Sequence, residues 1–511
     1  MHRSEAQRVF FPFAVFMQAA AALLVLLAIT GCASRGTSSL SGDPLTDLSN
    51  PELRVADRVA AMQAAWQDPN ADRANIREPL KDLVWSDESP TELRIAATEL
   101  LMSDDSWSGL RDSKNFIRVR VPTEKDYEVI RLMGVQALAR SWQDLTPAFI
   151  RSFAIEDVNI ADDQRVERAV LEALNPEQSL ELIATRVFLN PDQGTLGTVD
   201  LDARAREAAW DLLARLDPSG ESRRSVLRRG DLPTDEEGAR VLSVVRRGLS
   251  ELGVVARNGE ELRWLIALAD GDQSWWSQTR DAVATLTEEQ AAGLKLRDLE
   301  AVRWASIYRQ TWMQDTREQL AGRLRSRIAD RELTPRRAER DELRDIPSTL
   351  DEASELMTWG DILGALAVDV ALRDPEVINR IFEQVDMDRE DDSTEYGGLL
   401  FVDRSGRFVA QMYPPRPQHR KGDDQFVASS DMLEQSVRAL AMYHFHVMRE
   451  RNSRFAGPSV EDYEQARAQG RLGVVMTSIN EGELNADVYV DTPASIDLGL
   501  LLRLEAPADE G

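Results

Sequence analysis

The chain has 511 residues and a formal net charge of −27 at pH 7, with 43% hydrophobic and 29% charged residues. This composition is typical of a globular protein that folds in water, and it excludes a disordered chain or a protein with many membrane spans. The acidic balance argues against a nucleic-acid partner, because phosphate binding requires clustered Lys and Arg. The length predicts more than one domain.

Residues 1–31 have the layout of a secretory signal peptide. Arg3 and Arg8 precede an apolar stretch from Phe10 to Ile29, and two small residues separate that stretch from Cys32, the single cysteine of the sequence. The string Ile-Thr-Gly-Cys resembles a bacterial lipobox. This resemblance implies that Cys32 is lipidated and becomes the first residue of the mature protein. An uncleaved signal anchor is the alternative, because the apolar stretch is nearly long enough to span a bilayer.

The residues after the cysteine indicate where the protein is located. A stretch rich in Ser and Gly follows Cys32, so we expect residues 32–50 to be a flexible tether. By resemblance to bacterial lipoprotein sorting, Ala33 in place of Asp favours the outer membrane over the inner one. We therefore expect a lipid-anchored protein of the cell envelope whose folded part lies outside the cytoplasm.

Residues 51–345 are predicted to form an all-α domain. Apolar residues recur at i, i+3, i+4 and i+7 within residues 93–101, 130–138 and 205–213. The pattern loosely resembles a HEAT-like array, and an irregular helical array fits it equally well. A true repeat array would offer an extended concave surface to a protein partner. Five tryptophans of this domain are expected to be core residues rather than a binding platform: Trp264, Trp275, Trp276, Trp304 and Trp312.

Residues 346–511 are predicted to form an α+β domain, because helical and strand patterns alternate there. The predicted elements are a strand at 364–372, a helix at 375–385, a hairpin of 397–402 with 407–412, a helix at 430–440, a strand at 442–448, a helix after Pro458, and a hairpin of 473–478 with 483–490.

Three of the four histidines lie in this C-terminal domain. His444 and His446 stand at i and i+2 on a predicted strand, so both side chains project from the same face. A catalytic zinc site requires three protein ligands and an open position for water. Asp462, at the start of the next predicted helix, is the candidate third ligand. Glu395, just before a hairpin strand, is the candidate general base.

These residues resemble the JAMM motif of JAB/MPN metallohydrolases, over the last third of the chain. The matching elements are, in order, Glu395 with Gly398, His444-x-His446, and Ser459-x-x-Asp462. The resemblance implies a JAB/MPN-like fold and Zn²⁺ as the cofactor, bound by the two histidines and Asp462. It also implies that Glu395 activates the zinc-bound water and that Ser459 stabilises the oxyanion.

Each element has a simpler explanation when it is taken alone. Ser459-x-x-Asp462 is also a helix capping box. The two histidines could be hydrogen-bonded core residues, and Glu395 could belong to the acidic loop that begins at Asp386. Their joint order favours a metal site over coincidence.

The segment between His446 and Asp462 is longer than the corresponding segment of JAB/MPN proteins. Its extra loop, residues 447–456, carries Arg449, Arg451 and Arg454. These arginines could select an acidic group of the substrate, or the loop could be a solvated insertion.

The sequence thus predicts a lipid-anchored zinc hydrolase, similar to metallopeptidases and isopeptidases. We expect it to cleave a peptide, isopeptide or related amide bond of a peptide or protein substrate in the cell envelope. The alternative is a non-catalytic envelope scaffold whose helical domain binds a protein partner.

Overall fold

The computed structural model describes residues 40–504, apart from 158, 194, 197–198, 231–232, 234, 337–340 and 423–424. The predicted signal peptide and Cys32 lie outside the described residues. The chain forms two compact units that divide after Asp105. Within the described ranges, every helix is too short or too polar to cross a bilayer.

The described residues of the first unit form helices. They are α1 (Pro44–Ser49), α2 (Val55–Gln67), α3 (Arg73–Trp85) and α4 (Thr91–Met102). Helix α1 lies inside the segment that we predicted as a flexible tether. The Asp43 side chain accepts the N–H of Leu45 at the start of this helix, and Leu48 is fully buried. The tether prediction is therefore wrong for residues 44–49, because a capped helix with a buried leucine is a packed element.

The second unit begins with a long helical region, as the apolar periodicity predicts. A ribbon of two short strands, β1 (Thr195–Leu196) and β2 (Val199–Asp200), interrupts it. The five tryptophans are buried, as expected of core residues. A HEAT-like arrangement stays a prediction. The helices are α5 (Trp107–Arg120), α6 (Tyr127–Ala139), α7 (Thr146–Phe153), α8 (Val166–Leu174), α9 (Leu180–Leu189), α10 (Leu201–Leu216), α11 (Glu221–Arg228), α12 (Glu236–Leu252), α13 (Gly259–Gly271), α14 (Gln273–Val283), α15 (Glu288–Ala291), α16 (Leu299–Tyr308), α17 (Arg317–Ile328), α18 (Asp341–Arg344) and α19 (Leu350–Ser354).

The C-terminal part of the second unit is built on a mixed six-stranded sheet with the strand order β4-β3-β5-β6-β7-β8. Strands β5 and β6 are parallel, and the other neighbours are antiparallel. The elements are α20 (Trp359–Ala371), α21 (Pro375–Arg389), β3 (Gly397–Val402), β4 (Phe408–Met412), α22 (Ser430–Gln435), β5 (Ala439–His446), α23 (Val460–Gln469), β6 (Gly473–Asn480), β7 (Glu483–Tyr489) and β8 (Ser495–Leu502).

The two predicted hairpins are confirmed as β3 with β4 and β6 with β7. The strand predicted at residues 364–372 is wrong, because these residues belong to α20 and its end. Thr358 and Asp361 form a capping box that begins this helix, and its residues are buried on nearly all sides. A helix that is apolar all round has no polar stripe, so periodicity does not distinguish it from a buried strand.

One hydrophobic core joins the helices before residue 345 to the sheet. Trp304 of α16 packs against Phe408 of β4, with ring centroids 5.1 Å apart. Leu320 of α17 and Leu366 of α20 belong to the same buried cluster as Phe445 of β5. The core therefore extends across the boundary that we predicted between residues 345 and 346.

Candidate metal centre

Strand register brings Glu395 opposite the paired histidines. Strand β3 runs antiparallel to β5, and Gly397 is paired with His444. Continuing that register by two residues places residue 395 opposite His446. The N–H of Phe445 donates to the carbonyl oxygen of Tyr396 at 3.1 Å, so the ladder extends one step beyond β3. As a result, Glu395 Oε1 lies 3.7 Å from His446 Nε2.

Glu395, His444 and His446 together form a group that could hold a metal ion. One ligand atom from each lies within 4.8 Å of the others, and in the part of the chain that the structure describes this is the one such group of His, Cys, Asp and Glu side chains. Glu395 and His444 are buried, and His446 is half-buried. The predicted convergence of Glu395 with the two histidines is therefore confirmed as geometry.

A backbone carbonyl determines the tautomer of His446. The Nδ1 of this ring lies 2.9 Å from the carbonyl oxygen of Phe455, which can only accept, so Nδ1 carries the proton. Burial and the neighbouring His444 lower the pKa of His446 to about 4, so the ring is neutral at pH 7. Its Nε2 lone pair then faces Glu395. Metal-binding histidines are commonly held in this way, with the second nitrogen bonded to a carbonyl or carboxylate.

His444 presents a buried nitrogen without a hydrogen-bond partner. Its Nε2 lies 3.2 Å from Asp462 Oδ1, but the two atoms are not aligned as a hydrogen bond. Burial lowers the pKa of His444, whereas the carboxylates of Asp462 and Glu395 raise it by more, to about 9. An unpartnered buried nitrogen costs free energy. A cation bound between these groups would replace the proton that the raised pKa keeps on this ring, and it would give Nε2 a partner.

Ser459 and Asp462 form the capping box that begins α23. Ser459 Oγ accepts the N–H of Asp462 at 3.1 Å, and Asp462 Oδ2 accepts the N–H of Ser459 at 2.7 Å. The interpretation of these residues as a capping box is therefore confirmed. The second oxygen of the carboxylate, Asp462 Oδ1, is not used in the box and lies beside His444. Burial raises the pKa of Asp462, but the two histidines lower it well below its usual value, so the carboxylate is ionised.

Two aromatic side chains that the motif did not indicate hold the ring of His444. Phe426 stacks on it with a centroid distance of 5.5 Å and an interplanar angle of 10°. Tyr489 meets the ring edge-on at 6.4 Å and 81°. Both contacts depend on how distant segments pair, so no local spacing pointed to them. The contacts restrict the orientation of His444.

The two glycines that begin β3 are required by close packing. A Cβ on Gly397 would lie 2.5 Å from the Phe426 ring and from the carbonyl oxygen of Tyr443. A Cβ on Gly398 would lie 2.2 Å from the carbonyl oxygen of Gln411. Gly398 was singled out as part of the motif, and its position allows β3 to fit between β4 and β5.

The extra loop of residues 447–456 is fixed to the site strand. Asn452 Nδ2 donates to the carbonyl oxygen of His446 at 3.0 Å, and its backbone N–H donates to the carbonyl oxygen of Ser478 at 2.8 Å. Arg449 and Arg451 are exposed on this loop. Selection of an acidic substrate by these arginines stays a prediction.

Comparisons with protein-family models, with curated proteins and with solved structures found no match to this chain. The resemblance to the JAMM motif therefore depends on the residues of this sequence. The fold is a helical region followed by a mixed six-stranded sheet with helices.

Proposed function

We propose that this chain is a zinc-dependent hydrolase of the JAMM type that cleaves a peptide, isopeptide or related amide bond. The convergence of Glu395, His444 and His446 within 4.8 Å carries the proposal, and Asp462 Oδ1 is adjacent at 3.2 Å from His444. Two imidazoles with a carboxylate are a donor set of catalytic zinc sites. Magnesium and calcium prefer oxygen ligands alone, so this set favours zinc over them.

The two carboxylates have separate roles in this proposal. Asp462 joins the histidines as the third ligand, as the resemblance implies, and Glu395 is the acid/base. A zinc ion bound there would polarise a water molecule and the carbonyl group of the substrate. Glu395 accepts a proton from the attacking water and returns it to the leaving amine. Ser459 Oγ accepts the N–H of Asp462, which leaves its own proton free to bond the oxyanion.

We further propose that a lipid on Cys32 anchors the protein in the cell envelope, with the outer membrane favoured. The support is the signal-like segment and its terminal cysteine in the sequence. The substrate is then a peptide or protein of the envelope, and the helical region positions it or binds a protein partner.

A cleavage screen tests the proposed activity. Zinc-loaded protein is incubated with cell-wall peptides and with an envelope protein fraction, and newly formed amino groups are identified by mass spectrometry. We expect wild-type protein to release products that Glu395→Gln protein does not release. Equal products from both proteins would remove Glu395 from the reaction, and no products from either protein would favour the scaffold alternative.

A further inference from the structure

Tyr489 reaches the candidate metal centre from two strands away. It ends β7 and is paired with Gly473 of β6, which in turn is paired with Met442 of β5. A Cβ on Gly473 would lie 2.2 Å from the Tyr489 ring. The glycine therefore leaves the space that lets this ring lie over β6 and meet the edge of His444.

The hydroxyl-bearing end of the Tyr489 ring lies over Gly473, because a Cβ on that glycine would be 2.2 Å from Tyr489 Cζ. The hydroxyl is therefore directed from β7 towards β5. The side chain is 6% exposed, and Tyr463 packs against its ring with centroids 5.9 Å apart.

This hydroxyl differs from those of two other buried tyrosines. Tyr443 donates to Gln384 at 2.5 Å, and the Tyr463 hydroxyl accepts from Arg336 at 2.9 Å. Among the residues that the structure describes, the Tyr489 hydroxyl makes no hydrogen bond. The hydroxyl oxygen is not fully buried, so an oxygen atom of a ligand bound in the centre can serve as its acceptor.

We propose that the Tyr489 hydroxyl donates a hydrogen bond to the substrate oxygen that becomes negatively charged during hydrolysis. This inference rests on the proposed function. A phenol is neutral at working pH and held rigidly by its ring contacts, which suits a donor aimed at a developing charge. Removing one such donor typically lowers kcat by about 100- to 1000-fold.

The test measures binding of an oxyanion probe and so does not need a known substrate. The protein is loaded with Co²⁺, and its visible d–d absorption is followed while acetohydroxamate is added. Wild-type protein is compared with Tyr489→Phe, which keeps the ring and its contacts. Tyr443→Phe is the control, because this residue alternates with His444 on β5 and its hydroxyl faces Gln384.

We expect Tyr489→Phe to bind Co²⁺ as the wild type does and to bind acetohydroxamate about tenfold more weakly. Tyr443→Phe should keep wild-type affinity for the probe. Equal affinity in wild type and Tyr489→Phe would overturn the role of Tyr489 while leaving the metal centre standing. Failure of the wild type to bind Co²⁺ would overturn the metal centre and this inference together.

Discussion

Asp462 and His444 are in contact across the candidate site, with Asp462 Oδ1 3.2 Å from His444 Nε2. The other oxygen of the same carboxylate accepts the N–H of Ser459 and begins α23. One side chain thus connects the start of a helix to a strand histidine. The two functions belong to different atoms, so substitutions can separate them.

Asp462→Asn should lower zinc affinity by at least about 100-fold while leaving the fold intact. The amide oxygen can still accept the N–H of Ser459, whereas the negative charge beside His444 is lost. Ser459→Ala should lower the free energy of unfolding by about 1 kcal/mol, because the helix cap is lost. It should leave zinc affinity unchanged, because the proposed ligands stay in place. Zinc affinity by chelator competition and urea unfolding measure the two effects. Weak zinc binding in Ser459→Ala with normal binding in Asp462→Asn would contradict this assignment.

Glu395→Gln should keep zinc affinity within about threefold and reduce turnover by more than about 100-fold, because the amide cannot act as a proton acceptor. The cluster geometry also permits Glu395 to be a ligand, since its oxygen lies within 4.8 Å of both ring nitrogens. A large loss of zinc from the Glu395→Gln protein would show that Glu395, and not Asp462, is the third ligand. Metal content after dialysis and product release on any substrate found by the screen are the measurements.

Gly398→Ala should destabilise the second unit by about 1–3 kcal/mol, because the added methyl group would overlap the carbonyl of Gln411. Gly271→Ala is the matched control, since a Cβ there meets nothing within 4 Å. Urea unfolding of both variants measures the effect. Equal stability of the two variants would show that β3 can shift without cost.

The stability of the second unit should fall as the pH rises from about 4 to about 7, in part because of Asp298. Burial and the neighbouring Asp361 raise the pKa of Asp298 to about 6. The folded state therefore keeps a proton that the unfolded chain releases near its ordinary pKa, and raising the pH through this window favours unfolding. The contribution reaches up to about 3 kcal/mol at full ionisation.

Asp298→Asn should remove this part of the pH dependence. The amide oxygen can still accept the N–H of Lys295, which now bonds Asp298 Oδ2 at 2.9 Å. We expect a higher Tm than wild type at pH 8 and a similar Tm at pH 4. Asp281→Asn is the control, because Asp281 is exposed in an ion pair with Arg280. A wild-type pH profile that Asp298→Asn leaves unchanged would remove Asp298 as the cause.

The hairpins and the strand that carries the histidines were predictable, because alternating apolar residues and glycine turns are local signals. Helix α20 was missed because it is apolar on nearly every side. Strand β8 was also missed. The predicted domain boundary at residue 345 does not end the core, because α16 and α17 pack in the same cluster as the sheet. Long-range packing of this kind leaves no periodic signal in the sequence.

The residues of the candidate site were predictable to the extent that they form a motif. The sequence indicated Glu395 and both histidines, and the β3–β5 register brings them together. It did not indicate Phe426 or Tyr489, because their contacts with His444 depend on strand order. Gly473 was the available signal, since a glycine within a strand often marks a close approach of another group.

The metal content of the purified protein is the most direct test of zinc binding by His444 and His446. Wild-type protein, His444→Ala/His446→Ala protein and His419→Ala protein are loaded with zinc, dialysed and analysed by mass spectrometry for bound metal. We expect about one zinc per chain in the wild type and in His419→Ala, whose histidine lies outside the motif, and none in the double variant. Wild-type protein that retains no zinc, or a folded double variant that retains as much as the wild type, would rule out zinc binding by these histidines.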